Sequence, residues 1–160
     1  MGKRSRQKWK VGDIFLVPLK DGTFCPGQVV GREADVLNSV SIALAETRVR
    51  EAEDARDMAL DDADIFAILF ATRDLLDSGR WKVVGSAAIA IRSDEMPYEG
   101  LRSTGFVGAK VRGSAIIEEF ASAFFGLCPW DDWKDPHYLD GLLRSPDKKP
   151  MQRLVLGKPA

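Results

Sequence analysis

Two apolar runs near the start of the chain predict a β-hairpin. Residues 14–19 and 23–30 flank the dipeptide Asp21-Gly22, which is suited to a two-residue turn whose residues need positive φ. Both faces of the two strands are apolar, so we expect both faces to be covered by other parts of the chain.

Proline and glycine positions predict that this hairpin curls. The two-residue turn places Pro18 opposite Cys25, where the missing N–H should lose or bulge one rung of the ladder. Pro26-Gly27 on the return strand predicts a sharp bend or bulge. These positions favour a coiled, barrel-like sheet over a flat one.

The middle of the chain alternates strands with polar connections. Residues 40–45 show a period of two and predict a third strand. Residues 51–64 are acidic and lack an apolar stripe, so we interpret them as an exposed, partly helical connection. The pattern then predicts strands at 65–72, 81–84 and 106–111, a short helix at 74–79 and a loop at 92–103.

Two helices are predicted near the end of the chain. Ser114 can cap the first, whose apolar positions recur at helical spacing: Ile116, Ile117, Phe120, Ala123, Phe124 and Leu127. Asp135-Pro136 begins the second, which runs to Leu143, and residues 151–156 can return as a strand. We therefore predict an α+β fold: a curled, partly barrel-like antiparallel sheet with two C-terminal helices packed on it.

Length and composition predict one domain preceded by a tail. The 160 residues are about the size of a single domain, and no linker divides them. Residues 1–10 carry five cationic side chains and almost nothing apolar except Trp9, which predicts a flexible basic tail. Residues 11–160 then form a single α+β domain.

Charge and cysteine content indicate a cytoplasmic protein. The net charge of −1 provides no general attraction to nucleic acid or membrane. Cys25 and Cys128 are far apart and form no CxxC pair, so we expect two buried, reduced thiols. No signal peptide is visible, and the apolar runs are shorter than the roughly 20 residues that span a bilayer.

The sequence lacks a complete set of residues for any enzyme that we considered. His137 is the single histidine, so multi-histidine metal sites are excluded, and every Cys–His or Ser–His–Asp arrangement would depend on it. Residues 61–64 lack the closing glycine and glutamate of a calcium loop, and no glycine-rich phosphate loop is present. We predict a protein that is not an enzyme and binds no metal or cofactor.

Two segments carry residues typical of protein recognition. The first combines aromatic anchors with carboxylates: Trp130, Asp131, Asp132, Trp133 and Asp135. The alternative is that one or both tryptophans close the core while the carboxylates are solvated. The second segment is the acidic connection, which can meet a basic surface or simply be solvated; its candidate residues are Glu53, Asp54, Asp57, Asp61 and Asp62.

The basic tail indicates a different kind of partner. Its cations can touch phosphate, and Trp9 can stack on a base. The near-zero net charge argues against nucleic acid as the main ligand, so we expect such binding to be weak and confined to the tail.

Three segments carry a resemblance to a known family. Residues 12–22 with 27–31, the Gly-Arg-Trp strand at 79–85 and the apolar strand at 65–70 resemble the bacterial immunity protein 26 family. The resemblance covers about the first half to two-thirds of the chain. It implies an α+β cytoplasmic antidote without catalytic residues, encoded beside a polymorphic toxin and inhibiting that toxin by direct binding.

A second resemblance leaves two alternatives open. The Gly12-Asp13-Ile14 opening is similar to that of growth-inhibitor toxins, which have an SH3-like barrel and cleave messenger RNA. The later Arg-Pro strand of those enzymes is absent. The other alternative is a small nucleic-acid-binding barrel that uses the tail.

Overall fold

The computed structural model describes residues 6–33, 38–91 and 110–156. Within these ranges, six strands form one open, mixed sheet in the order β5-β1-β2-β3-β4-β6, and only the β4–β6 pair among them is parallel. Its strands are β1 Asp13–Pro18, β2 Phe24–Glu33, β3 Ser39–Ala45, β4 Ile65–Ala71, β5 Lys82–Ser86 and β6 Val111–Arg112.

Helical segments connect and cover the strands. Within the described ranges, two are α-helices, α1 Asp74–Ser78 and α2 Ser114–Phe124. Four others in those ranges are single turns of 3-10 helix: Ala52–Ala55, Asp62–Asp64, Leu139–Leu142 and Pro146–Lys148. Across the described ranges, no helix has the length and apolar character needed to cross a bilayer.

The opening hairpin forms as predicted, but its predicted turn is wrong by one residue. Leu19 N–H donates to the Thr23 carbonyl at 2.8 Å, and Gly22 N–H donates to the Leu19 carbonyl at 3.1 Å. Gly22 has φ 86°, so the loop is a three-residue turn with a left-handed glycine. The carboxylate of Asp21 accepts the N–H of Thr23 at 3.1 Å, which draws one more residue into the loop.

This register removes the difficulty predicted at Pro18. Pro18 pairs with Phe24 and not with Cys25. The Phe24 N–H points to the other side of the strand and donates to Val49 O at 2.7 Å. Pro18 therefore occupies a position of the ladder that needs no N–H, and no rung is lost.

Irregularities in three ladders curl the sheet, but none of the register shifts lies at Pro26-Gly27, where a bend or bulge was predicted, because the pairing there is continuous. The register shifts between Ile14 and Phe15 in the β1–β5 ladder and between Val29 and Gly31 in the β2–β3 ladder. A third shift lies in the β3–β4 ladder. Each extra residue bends its strand and increases the local twist. The α+β class with a curled sheet is confirmed.

Aromatic side chains form the centre of the core between the sheet and α2. Phe15 stacks on Trp81 with ring centroids 5.4 Å apart, and both side chains are fully buried. Phe66 stacks on Phe124 at 3.7 Å and meets Phe120 edge-on. The apolar stripe predicted on α2 thus packs on β4, which explains why this helix lies on the sheet.

Hydrogen bonds that the sequence pattern did not predict connect the start of α2 to the start of α1. Gly113 is the N-cap, and Ser114 is the first helical residue, which corrects the predicted cap. The Ser114 N–H donates to Thr72 Oγ1 at 2.9 Å, and its hydroxyl donates to the Asp74 carboxylate at 2.8 Å. A side chain distant in sequence thus supplies the capping acceptor.

The chain after α2 is less regular than predicted. The second predicted helix is reduced to the single 3-10 turn Leu139–Leu142, because the backbone hydrogen bonds here join residues three apart, as from the Asp140 N–H to the His137 carbonyl at 3.1 Å. The Asp135 carboxylate does accept the His137 N–H at 2.9 Å, the contact expected of the predicted cap. The predicted last strand forms only one bridge, Pro129 to Leu154. The loop predicted at 92–103 lies outside the described residues, as does most of the strand predicted at 106–111.

Part of the segment predicted to be a flexible tail packs against the fold. The Gln7 side-chain amide donates to Leu76 O at 2.8 Å and to Trp81 O at 2.9 Å, and it accepts the Val83 N–H. The Trp9 ring is buried and donates to Asp77 at 2.8 Å. Residues 6–10 therefore hold α1 against β5. The division of the chain into a flexible tail and one domain stays a prediction.

Candidate partner-binding surface

Buried apolar side chains anchor the acidic connection between β3 and β4 to the rest of the fold. Ala55 is buried with Val49 and Leu16 in a small apolar cluster, and Ala52 and Met58 pack beside them. The charged residues between these anchors are exposed: Glu53, Asp54, Arg56 and Asp57. The connection therefore presents its carboxylates from a defined backbone, as predicted for an exposed, partly helical segment.

Four of the five predicted carboxylates on this connection are exposed, and none of the four has an ion-pair partner among the described residues. They are Glu53, Asp54, Asp57 and Asp61. We call them the acidic surface. Arg56 lies among these carboxylates, and Arg56 and Lys82 line a cavity with Glu53, so the four carboxylates outnumber the cations beside them and the surface is net negative.

Asp62, the fifth predicted residue, has a structural role. Its carboxylate is half-buried and accepts Arg144 Nη2 at 2.6 Å, while its carbonyl accepts Arg144 Nη1 at 2.7 Å. This pair joins the acidic connection to the C-terminal part of the chain. An engaged and partly covered carboxylate is a poor candidate for partner contact.

Trp130 lies in the core and not at an exposed recognition surface, which were the two alternatives for this tryptophan. Its side chain is 1% exposed and packs 6.0 Å from the Phe120 ring. The indole N–H donates to Asp140 Oδ1 at 2.7 Å. The ring of Trp130 therefore cannot serve as an exposed aromatic anchor.

Asp140 gathers three donors around its carboxylate. Besides Trp130, it accepts Lys149 Nζ at 3.0 Å and contacts His137 Nδ1 at 3.2 Å. Burial alone would raise the pKa of Asp140, but these hydrogen bonds outweigh burial and hold the pKa below its usual range. The carboxylate is thus a polar centre that organises residues 130–149.

Trp133 and its neighbouring carboxylates remain accessible. Trp133 is half-buried, and its ring lies 4.9 Å from Tyr138, whose hydroxyl accepts Arg112 Nη1 at 3.0 Å. Asp132 and Asp135 are exposed. Asp131 is half-buried and accepts the backbone N–H of Leu156 at 2.6 Å. This corner offers one aromatic face with carboxylates around it.

The sequence pattern did not single out an exposed apolar segment that lies beside this corner. Its members share large, solvent-facing side chains: Met151, Leu154, Val155 and Leu156. The apolar run was visible in the sequence and predicted a strand. Its exposure could not be predicted, because a strand at that position would ordinarily be covered.

Both thiols are buried, as predicted, and their environments suppress ionisation. Burial raises the pKa of Cys25, and burial together with the nearby Glu119 raises the pKa of Cys128 to about 12. Thiols in such surroundings are protonated at neutral pH and are weak nucleophiles. Within the described ranges, no group of three His, Cys, Asp or Glu residues is placed to hold a metal ion.

Trp9 is not available to stack on a nucleic-acid base. Arg32 lies over its ring at 4.2 Å, Arg73 lies 5.5 Å from its centroid, and its N–H is bonded to Asp77. Cation–π contacts of this kind occupy the faces of the ring. The stacking role predicted for Trp9 is therefore wrong.

The chain was compared with known proteins. The sequence model of the family described as immunity protein 26 matches residues 10–104. The match covers β1 to β5 and the acidic surface, and it ends before α2 and the Trp133 corner. No curated protein and no solved structure matches the chain.

Proposed function

The chain belongs to the immunity protein 26 family, and from that premise we propose that it neutralises one cognate toxin by direct protein–protein binding. In this proposal the protein acts in the cytoplasm of the cell that makes it and catalyses no reaction. We expect the toxin surface that binds this protein to be basic, because the acidic surface exposes negative charge.

The observation that carries this proposal is the set of unpaired carboxylates on the acidic surface. Exposed like charges held close together on a fixed backbone destabilise a fold slightly. Lysine and arginine side chains of a partner would neutralise them and would also accelerate association through electrostatic attraction. A stability cost that a partner relieves is typical of a binding surface.

The buried thiols support binding without catalysis. Cys25 and Cys128 are protonated in their surroundings, and His137 is exposed on the surface, where it contacts Asp140. A Cys–His pair would need a thiol within hydrogen-bond reach of the imidazole. His137 has no such contact with either thiol among the described hydrogen bonds.

The family match also favours immunity over the growth-inhibitor alternative. An RNA-cleaving toxin should arrest growth when it is expressed, whereas an immunity protein should be harmless alone and protective beside its toxin. Expression of the chain in a host with and without the toxin tests this difference. Growth arrest by the chain alone would overturn the proposal.

The binding surface is tested with the purified product of the toxin gene adjacent to the gene of this chain. We expect the triple variant Glu53→Gln/Asp54→Asn/Asp57→Asn to bind at least tenfold more weakly in calorimetric titration, a change of about 1.4 kcal/mol. Its midpoint of thermal unfolding should equal or exceed that of the parent, because repulsion is removed.

Asp147→Asn removes an exposed carboxylate outside the acidic surface and is the matched control. It should leave the affinity unchanged. Binding of the parent should also weaken as salt is raised. If the parent chain does not bind the toxin at all, the proposed function is wrong.

A further inference from the structure

Three arginines converge on one tryptophan and one carboxylate. The guanidinium carbon of Arg32 lies 4.2 Å from the centroid of the Trp9 ring, and that of Arg73 lies 5.5 Å from it. Arg6 and Arg73 both contact the carboxylate of Asp77, at 3.5 and 3.3 Å. We call Arg6, Arg32 and Arg73 the arginine cluster. Its members are far apart in the chain, so the fold alone brings them together.

The arginine cluster rests on a fixed support. The Trp9 side chain is 8% exposed, and its indole N–H donates to Asp77 at 2.8 Å. Arg32 projects from β2. Arg73 donates to the side chain of Asn38 at 3.0 Å in addition to its contact with Asp77. A guanidinium group that is already held in place loses less conformational entropy when it binds a ligand.

Positive charge in the arginine cluster exceeds the negative charge in contact with it. Within the described residues, Asp77 is the single carboxylate bonded to any of the three arginines. Arg32 is exposed and forms neither an ion pair nor a hydrogen bond in that part of the chain, so its five N–H groups can meet an external acceptor. Because like charges repel, an anion bound here would stabilise the cluster.

The other carboxylates near these arginines in the sequence are engaged elsewhere. Glu33, next along β2, is 7% exposed and accepts the hydroxyl of Ser41 at 3.0 Å. Asp74 accepts two hydroxyl groups. Asp13 is bonded to Lys10 at 2.9 Å. None of the three contacts the arginine cluster, which therefore presents a net positive charge.

The arginine cluster and the acidic surface belong to opposite faces of the sheet. Trp9 packs in the same core cluster as Phe15, whereas the acidic connection is anchored beside Leu16. Successive residues of a strand point to opposite faces. The two charged surfaces are therefore separate, and a ligand of one leaves the other accessible.

We propose that the arginine cluster binds the phosphate backbone of nucleic acid. Guanidinium groups present paired N–H donors that match phosphate oxygens. Three such groups, supplied by separate elements around one ring, suit successive phosphates along a strand. Since the Trp9 ring is buried and engaged, the contact reads no base, and binding is independent of base sequence.

This inference goes beyond the proposed function and does not depend on the toxin. It also moves the expected contact from a free tail to the folded domain, because Arg32 and Arg73 lie on β2 and directly before α1. A membrane suits the cluster less well, since surface binding to lipid uses exposed apolar side chains and Trp9 is buried.

Fluorescence anisotropy with a labelled DNA duplex of mixed sequence tests the proposal. The logarithm of the affinity of the parent should fall against the logarithm of the salt concentration with a slope of about −2.7, about −0.9 for each of three phosphate contacts. The double variant Arg6→Gln/Arg32→Gln leaves Arg73 and its bonds in place. We expect its affinity to fall at least tenfold and its slope to become shallower by about 2.

The matched control is Arg50→Gln/Arg56→Gln, which makes the same change in net charge at two exposed arginines outside the arginine cluster. It should bind the duplex like the parent. The midpoint of thermal unfolding should be the same in both variants as in the parent, because the removed groups are exposed. Equal losses of affinity in the two variants would mean general electrostatic attraction and would overturn the inference.

A variant lacking residues 2–5 separates the arginine cluster from the basic residues before it, and it should retain most of the affinity. Loss of binding on that deletion, while Arg6→Gln/Arg32→Gln binds like the parent, would overturn the inference.

Two further probes test the kind of ligand. Displacement of the duplex by inorganic phosphate at matched ionic strength would indicate a site for a single anion. Binding to vesicles of anionic phospholipid without binding to the duplex would indicate a membrane site. Either result would overturn the inference, as would failure of the parent to bind the duplex. Failure to bind the toxin would overturn the proposed function and leave this inference intact.

Discussion

The sheet and the C-terminal part of the chain are held together by different forces. All seven residues of β3 are buried, and its ladders with β2 and β4 run along most of its length. After α2, Trp130, Leu139 and Leu142 are buried in the same core, but strand pairing within the described residues is reduced to one bridge, and polar side-chain contacts hold the rest. The Asp140 cluster and the Arg144–Asp62 pair provide most of those contacts.

Under the proposed function, this difference separates the part that carries most of the fold from a part whose exposed residues are free to vary. Burial in the sheet is shared among many residues, so the sheet tolerates variation at its surface. The exposed residues of the C-terminal part can change without disturbing the core, because its core contacts are made by other residues, such as Trp130 and Leu142. The C-terminal part is therefore suited, under that function, to recognise one toxin among many.

The largest effect is expected for Trp81→Ala, which removes the fully buried ring stacked on Phe15. Large-to-small substitutions of this kind cost about 3–5 kcal/mol, and we expect a loss near the upper end in urea unfolding. Trp133→Ala, at the half-buried ring of the C-terminal part, is the control and should cost much less. Equal losses would contradict the contrast between the two regions.

A smaller and more local effect is expected for Asp140→Ala. It leaves the Trp130 N–H without its acceptor and releases Lys149; an unsatisfied buried donor costs about 1–3 kcal/mol. Hydrogen exchange should accelerate across residues 128–156 and remain slow in β1 to β4. Asp135→Ala, at an exposed carboxylate nearby, should leave both regions protected, and acceleration throughout the sheet would contradict the prediction.

The smallest expected effect is the loss of folding stability at acidic pH. Asp74 and Asp140 are partly buried, which by itself would raise their pKa values, but hydrogen bonds from Thr72 and Ser114 to Asp74, and from Trp130 to Asp140, lower them. A carboxyl group whose folded pKa is lowered stabilises the fold above its unfolded pKa of about 4. That stability is lost as pH falls through the folded pKa.

Unfolding free energies from pH 7 to 2 check this prediction. The gap between the parent and Asp140→Asn should be constant above about pH 5 and should narrow below about pH 4. A gap that stays constant over the whole range would contradict a lowered pKa at Asp140.

Local patterns predicted the positions of most elements. The period of two in residues 40–45, the apolar run at 65–72 and the stripe on α2 all correspond to observed elements, because each pattern records burial on one or two faces. The hairpin was predicted, but its register was not. In the observed three-residue turn, the Asp21 carboxylate accepts both the N–H and the hydroxyl of Thr23, and Arg48 donates to both residues.

Some features of the candidate surfaces could be predicted from local sequence, and others could not. Exposure of Glu53, Asp54 and Asp57 followed from their charge. Whether Trp130 lies in the core or at an interface could not be predicted, because a tryptophan suits both environments. The Asp140 carboxylate, ten residues along the chain, provides the acceptor that its buried N–H requires.

The sequence by itself determined the α+β class, the acidic connection and the family resemblance of the opening strands, since these depend on the order of apolar, charged and turn-forming residues. Only the tertiary structure decided that Gln7 and Trp9 bond to α1, that Asp62 forms an ion pair with Arg144, and that the apolar residues at 151–156 are exposed. Each of these depends on contacts between residues far apart in the chain, and a local pattern does not record such contacts.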